Sequence, residues 1–323
     1  MTTSAVRPED ASETARGRDV ALELDHVLVD GLRLRVGHRG PACGPARGTA
    51  VILPGRAEFI EKYHETAAEL AERGFAVATL DWRGQGGSDR LLDRRHRGHV
   101  VRVEEYLADL AGMLAWLERR RLPRPWVMLA HSMGGHVGLR HLHDDPVSFA
   151  GAVMSAPMFG IRLRPMPEPL ARAICEIALG LGAGQRYAPG QRDFDLARCL
   201  FERNKVTTCP AHFEDLRRRL AATPELALGG VTFGWLRASL RSIALTKRPG
   251  FVEAITTPVL VCQAGNERIV CNRSITALTR RLPHGRLLAF PEARHELLQE
   301  REPIRRRFLD AFSAFAEQLR PGP

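Results

Sequence analysis

Ser132 has the setting most suggestive of chemistry. It stands in Ala130-His131-Ser132-Met133-Gly134, after the apolar run Trp126-Val127-Met128-Leu129 and before Val137, Gly138, Leu139 and Leu142 at helical spacing. A strand, a serine on a sharp turn and a helix present the hydroxyl as an exposed nucleophile. Strand and helix backbones approach closely there, so the positions two before and two after the serine need small residues, here Ala130 and Gly134. A serine alone is a weak nucleophile; it needs a base, and the base needs an orienting carboxylate. The C-terminal part offers both. Residues 257–265 read as a buried strand ending in a turn, with Glu267 just beyond it. Residues 285–290 read as another strand, followed by Pro291-Glu292-Ala293-Arg294-His295. Both side chains therefore fall in loops after strands, the edge where alternating strand–helix sheets hold their sites. Ser132 is predicted as nucleophile, His295 as base and Glu267 as orienting acid. The oxyanion formed by attack on a carbonyl needs two backbone N–H donors. Met133 supplies one as the residue after the nucleophile. Arg56 supplies the other, because Gly55 turns the chain back after the strand at 50–53. In isolation Pro54-Gly55 would also serve as a plain strand-ending turn.

These residues need a scaffold. Residues 22–36 read as a hairpin turning at Asp30-Gly31. Strands at 50–53, 75–80, 126–129 and 150–154 then alternate with helices at 60–73, 103–118 and 133–143, and Gly74 stops the first helix. Such alternation implies α/β architecture, a parallel sheet with helices on both faces. From 158 to 248 the pattern becomes helical, interrupted by glycine and proline, and the strands resume at Val259. A final helix carries Ile304, Phe308, Phe312, Phe315 and Leu319 on one stripe. No internal repeat is visible.

Composition bounds the rest. The chain has 323 residues, 44% hydrophobic and 26% charged, which is enough apolar material for a globular core. No run reaches the roughly 18 apolar residues of a membrane span. Residues 1–19 are polar, lack the apolar core of a secretory signal and read as a disordered tail. The six cysteines show no C-x-x-C spacing, which fits reduced thiols and a cytoplasmic location. The net charge of +10 is carried mainly by arginine, in runs such as 119–121, 217–219 and 305–307. Such a surface is either simply solvated or drawn to an anionic membrane, where each basic residue contributes roughly 1 kcal/mol. No nucleic-acid motif or stacking aromatic array accompanies it.

Other signals are structural. Gly84-Gln85-Gly86-Gly87 lacks the spacing of a phosphate cradle and opens no helix. Asp81 and Asp109 read as residues that hold loops and helices. His136, His141 and His143 crowd one helix without a metal-binding pattern.

Taken together, Pro54-Gly55-Arg56-Ala57-Glu58 through Lys62-Tyr63, Asp81-Trp82-Arg83-Gly84-Gln85-Gly86-Gly87-Ser88, Ala130-His131-Ser132-Met133-Gly134 and Ala293-Arg294-His295-Glu296-Leu297 resemble the α/β-hydrolase superfamily. Within it the chain is similar to the monoacylglycerol-lipase-like branch, most of all to bacterial lysophospholipases. The resemblance spans roughly 22–319. Ala130 and Glu267 depart from the usual glycine and aspartate, and Pro54 stands where many relatives have histidine. The resemblance implies an α/β-hydrolase fold, a mostly parallel sheet with a helical cap inserted after the sixth strand. The implied layout is a tail at 1–19, hydrolase core at 20–157 and 249–323, and cap at 158–248. It also implies a serine hydrolase that cleaves a carboxylic ester of a lipid, without cofactor or metal. Lysophospholipid is the implied substrate, with monoacylglycerol or a general carboxylester as alternative, and a non-catalytic lipid-binding scaffold as the reading of another class. Peripheral contact with the inner face of the membrane goes with the basic surface. In the cap, Leu170, Ile174, Ile177, Ala178 and Leu181 recur at helical spacing. Ile174 and Ile177 either line an acyl-binding surface or dock the cap onto the sheet.

Overall fold

Asp30 and Gly31 adopt φ of 52° and 78°, the pair of positive values that a two-residue hairpin loop requires. They join β1 (Glu23–Val29) to β2 (Leu32–Arg39) as the opening hairpin. The computed structural model describes residues 21–163 and 165–319, and the tail expected at 1–19 lies outside them.

The hairpin adds to a sheet through β2, which runs antiparallel to β4 (Ala76–Leu80). From β4 onward every pairing is parallel, through β3 (Thr49–Leu53), β5 (Trp126–His131), β6 (Gly151–Ser155), β7 (Val259–Ala264) and β8 (Gly285–Phe290). The order across the eight strands is β1-β2-β4-β3-β5-β6-β7-β8. Every residue of β3, β4, β5 and β6 is buried, which explains their unbroken apolar runs: helices cover both faces.

The pleat sorts alternate residues to opposite faces. Ile52, Val77, Val127 and Leu129 meet Leu70 of α1 (His64–Glu72) and Phe308, Phe312 and Phe315 of α8 (Glu302–Gln318). Val51, Leu53 and Met128 meet Leu110 and Met113 of α2 (Glu104–Arg119) and Val137 of α3 (Met133–Asp144). The predicted C-terminal stripe is buried as expected, with Ile304 and Leu319 at its partly buried ends. The helix predicted at 60–73 starts as a 3-10 turn, Ile60–Tyr63, before α1 begins.

Between β6 and β7 lie α4 (Glu168–Gly180), α5 (Pro210–Ala222) and α6 (Phe233–Thr246). α7 (Asn272–Arg281) follows β7. The insertion is fused to the core at several places. Trp235, Ala238 and Ile243 of α6 belong to the cluster around α2 and α3. Ser242 bonds both His136 Nε2 and Arg140 Nη1 at 2.7 Å. At the other end, Val206 O accepts from Glu296 N at 2.8 Å, and the carboxylate of the fully buried Glu300 accepts from Thr208 N and Arg294 N. Among the described residues no helix is long and apolar enough to cross a membrane, and all six cysteines are free.

Phe312 is fully buried and meets the Phe75 ring edge-on at 5.4 Å. Phe312→Ala is expected to destabilise the fold by about 3–5 kcal/mol through lost burial and a residual cavity, measured as a shift in the urea midpoint at unchanged slope.

Candidate active site

Parallel strands bring their C-terminal ends to one edge, so the loops after β3, β5, β7 and β8 meet there. Ser132 joins β5 to α3 with φ 49° and ψ −112°, a backbone conformation disfavoured for a side-chain-bearing residue. The surrounding close packing holds it. A Cβ on Gly134 would fall 2.2 Å from Leu53 O and 2.6 Å from Pro54 O, so only glycine fits. Ala130 adds one methyl, which lies in the core beneath the turn.

Ser132, Glu267 and His295, far apart in sequence, form one hydrogen-bonded chain. His295 Nε2 lies 2.9 Å from Ser132 Oγ, and His295 Nδ1 lies 2.7 Å from Glu267 Oε2. A carboxylate only accepts, so Nδ1 carries the proton and Nε2 is left to accept from the serine hydroxyl. All three residues are less than 10% exposed. Burial pushes the Glu267 carboxyl up. The bond from His295 and the amides of Ile269 (2.6 Å) and Val270 (3.2 Å) outweigh it and hold the group below its ordinary value. The glutamate's extra methylene is thus accommodated by a loop that fixes its second oxygen.

Met133 is the first residue of α3, where backbone amides have no intrahelical acceptor. In the facing turn, Gly55 N donates to Glu58 Oε2 and Ala57 N donates to Gln85 Oε1 at 2.7 Å. Trp82 Nε1 donates to Pro54 O at 2.8 Å. The amides on either side of Arg56 are therefore tied down, while the Arg56 amide has no acceptor among the described residues.

Beneath this turn lies a buried ionic cluster that sequence reading missed. Lys62 Nζ bonds Glu58 Oε1 at 2.6 Å and Glu296 Oε1 at 2.7 Å, and Tyr63 Oη donates to Glu58 Oε2 at 2.5 Å. Burial opposes the lysine charge, but the two carboxylates prevail and raise Lys62 to about 12. Glu58, His131 and Glu296 lie close enough to suggest a metal site, yet the Lys62 ammonium already sits between both carboxylates. The signal was legible as Glu58 and Lys62 four residues apart at a helix start. Their partner Glu296 was not, because it comes from the far end of the chain. The His131 ring packs 4.7 Å from that of His295, and burial lowers its pKa to about 4. A neutral neighbour spares His295 a like charge when it takes up a proton.

Gly86 packs onto Asp81, whose carboxylate accepts from Ile60 N, Gly87 N and Arg35 Nε. Asp109 accepts from Arg83 at 2.7 Å. Both acids hold loops, and the glycine turn is structural. His136, His141 and His143 bond Ser242, Ser148 and Phe251 O separately.

Of the two roles expected for the insertion's apolar stripe, docking does not hold for its large side chains. α4 packs through Ala171, Cys175 and Ala178, while Leu170, Ile177 and Leu181 are 52%, 63% and 79% exposed. Ile174 is half-buried. Of the predicted stripe only Ala178 docks the helix: small residues let α4 lie close to α6, which turns the larger apolar side chains outward.

This sheet, with its serine turn after β5 and helical insertion after β6, defines the α/β-hydrolase fold. Residues 44–302 match the family described as serine aminopeptidase, S33, and the chain belongs to that family. It is 34% identical to lysophospholipase L2 of Escherichia coli (strain K12) over 304 residues, 90% of this chain and 85% of that protein. It is 31% identical to a probable lysophospholipase L2 of Haemophilus influenzae, covering 83% of each chain. The structure of a soluble variant of monoglyceride lipase from Saccharomyces cerevisiae shares the fold with a TM-score of 0.75, at 18% identity, covering 94% of this chain and 97% of that one.

Replacing Lys62 by methionine would leave Glu58 and Glu296 buried without their cation. The expected loss is about 3–5 kcal/mol at pH 8. Burial already holds the Glu296 pKa above its ordinary value, and without the Lys62 charge that opposes this it rises further. Stability is then lost as pH rises through that pKa, so the deficit should shrink toward pH 5. Urea melts of wild type and Lys62→Met at both pH values check this; an equal deficit at each would show that the acids do not titrate.

Proposed function

We propose that the protein hydrolyses a carboxylic ester of a lipid, with lysophospholipid as substrate and a free fatty acid and a glycerophospho-alcohol as products. The observation that carries this reading is the continuous Glu267–His295–Ser132 hydrogen-bonded chain. Ser132 Oγ attacks the acyl carbonyl as His295 Nε2 takes its proton. The two amides hold the oxyanion, and the ionised Glu267 stabilises the imidazolium. His295 then protonates the leaving alcohol, and water enters by the same route to release the acid. The lipid substrate is supported by the relatives' names, lysophospholipase L2 in two bacteria. An aminopeptidase would need an acid to receive the substrate's ammonium group. Glu58 and Glu296 are instead engaged by Lys62, and Glu267 by His295.

Within this proposal, residues 158–248 act as a cap, and α4 meets the lipid surface. Its exposed stripe of Leu170, Ile177 and Leu181, flanked by the half-buried Ile174, presents apolar surface to the outside. Apolar insertion by such a helix, on a chain of net charge +10, suits an anionic bilayer.

Two experiments follow. Ser132→Ala should abolish labelling by a fluorophosphonate probe and lower lysophospholipid turnover by several orders of magnitude, and Glu267→Gln should cost about 10⁴-fold, both with unchanged melting. A panel of lysophospholipid, monoacylglycerol and a nitrophenyl ester compares the substrate classes. Turnover within tenfold of wild type in Ser132→Ala would sink the assignment, and a folded wild type that takes no label would favour a non-catalytic lipid binder. For the surface, Ile177→Glu with Leu181→Glu should weaken sedimentation with anionic phosphatidylglycerol vesicles and lower activity on vesicle-borne lysolipid, sparing a soluble acetyl ester; equal loss on both substrates would refute the contact.

A further inference from the structure

Buried or half-buried arginines in this fold are generally neutralised by acids. Arg35 pairs with Glu61 and Asp81, Arg83 with Asp30 and Asp109, Arg140 with Glu104, and Arg305 with Glu65 and Glu69. Three arginines at the seam between the Arg56 turn, the loop after Gly84 and the insertion break this pattern. Arg56, Arg90 and Arg97 have no carboxylate partner among the described residues. Arg56 Nη2 donates to Gly229 O, and its guanidinium lies 5.5 Å from the Trp235 ring. Arg90 donates to Gly84 O and Glu225 O, both at 2.6 Å. Arg97 donates to Gln185 O at 3.1 Å and lies over Tyr187. In each the Nε is enclosed without an acceptor, as it also is in the acid-paired Arg140 and Arg305. Burial pushes Arg56 down to about 10, and burial together with Arg95 does the same to Arg90.

The fold makes room for this uncompensated charge. A Cβ on Gly98 would lie 2.6 Å from Arg56 Nη2, so the glycine opens the space the guanidinium occupies. A desolvated cation without a counter-ion is costly, and a guanidinium fork matches the oxygens of a phosphate.

The position of Arg56 indicates which phosphate. Its backbone N–H is one of the two donors assigned to the oxyanion, and its guanidinium lies one side chain away, toward Gly229 and Trp235. In a lysophospholipid the ester carbonyl and the phosphodiester are likewise separated by a single glycerol unit. Building on the ester-hydrolase reading above, we propose that Arg56, with Arg90 and Arg97 reinforcing the field, binds the substrate phosphodiester and selects lysophospholipid over uncharged monoacylglycerol.

The test compares kcat/KM on lysophosphatidylglycerol and monoacylglycerol of the same acyl chain, below their aggregation limits, for wild type, Arg56→Met and Arg56→Lys. Arg56→Met should lose at least about tenfold more on the phospholipid than on the neutral lipid, mainly through KM, and Arg56→Lys should recover part of that difference. Loss by the same factor on both substrates would overturn the proposal and leave Arg56 as a brace between turn and insertion. Should Arg56→Met fail to fold, inhibition of the wild type by non-hydrolysable ether analogues decides: the ether lysophosphatidylglycerol should inhibit at least about tenfold more tightly than the ether of glycerol, and equal inhibition refutes the proposal. A wild type that hydrolyses monoacylglycerol but not lysophosphatidylglycerol refutes it while leaving ester hydrolysis intact. A wild type that neither labels with fluorophosphonate nor hydrolyses any ester instead refutes the underlying reading.

Discussion

The α carbon of Gly134 rests against the carbonyls of Leu53 and Pro54, at a distance that would put a Cβ 2.2 Å from the nearer oxygen. Much of the site depends on this contact. It presses the start of α3 against the end of β3 and so sets the Met133 amide beside the Arg56 turn. It also keeps Ser132 at φ 49°, a strain of order 1–3 kcal/mol that the surrounding packing must over-determine. The close approach is available because β3 and β5 are neighbours in a parallel sheet, with Leu53 in register with Ala130.

Charge placement organises the next layer. Acids near the serine are committed: Glu267 to His295 and two amides, Glu58 to Lys62, Tyr63 and Gly55, and Glu296 to Lys62. Glu58 thereby links the buried lysine to the turn that carries the Arg56 amide. Most arginines of the insertion are likewise paired, Arg172 with Glu168, Arg217 with Glu214 and Arg237 with Glu176, whereas Arg56, Arg90 and Arg97 at the seam have no acid partner among the described residues.

The insertion is a structural partner of the His295 loop. Its segment around Val206 and Thr208 bonds Glu296 and Glu300, and Asn204 O and Thr207 O accept from Arg294. Movement of this segment would be felt at His295. By contrast α4 is held through small residues and keeps its large apolar side chains outward.

Ser132 and His295 were legible as candidates because their signals are local: a small-residue turn between strand and helix, and a histidine in a loop after a strand. The sheet and the helices around it followed from apolar periodicity for the same reason, with boundaries shifting by up to four residues. Glu267 was legible from its place after a strand, despite being a glutamate. The ionic cluster was only half visible, since Glu58 and Lys62 share a helix start but Glu296 arrives from the last loop. The direction of the α4 stripe was not legible at all. Periodicity defines an apolar face but not what it meets, and here Ala171, Cys175 and Ala178 gave the closer packing against α6. That Arg56, Arg90 and Arg97 have no acid partner among the described residues was equally hidden in a sequence with 37 acidic residues. Sequence determined which residues stand at strand ends and which faces are apolar, because both are set by neighbours along the chain. Tertiary structure alone decided which charges meet and which are left over, because ion pairing depends on distances between segments far apart in sequence.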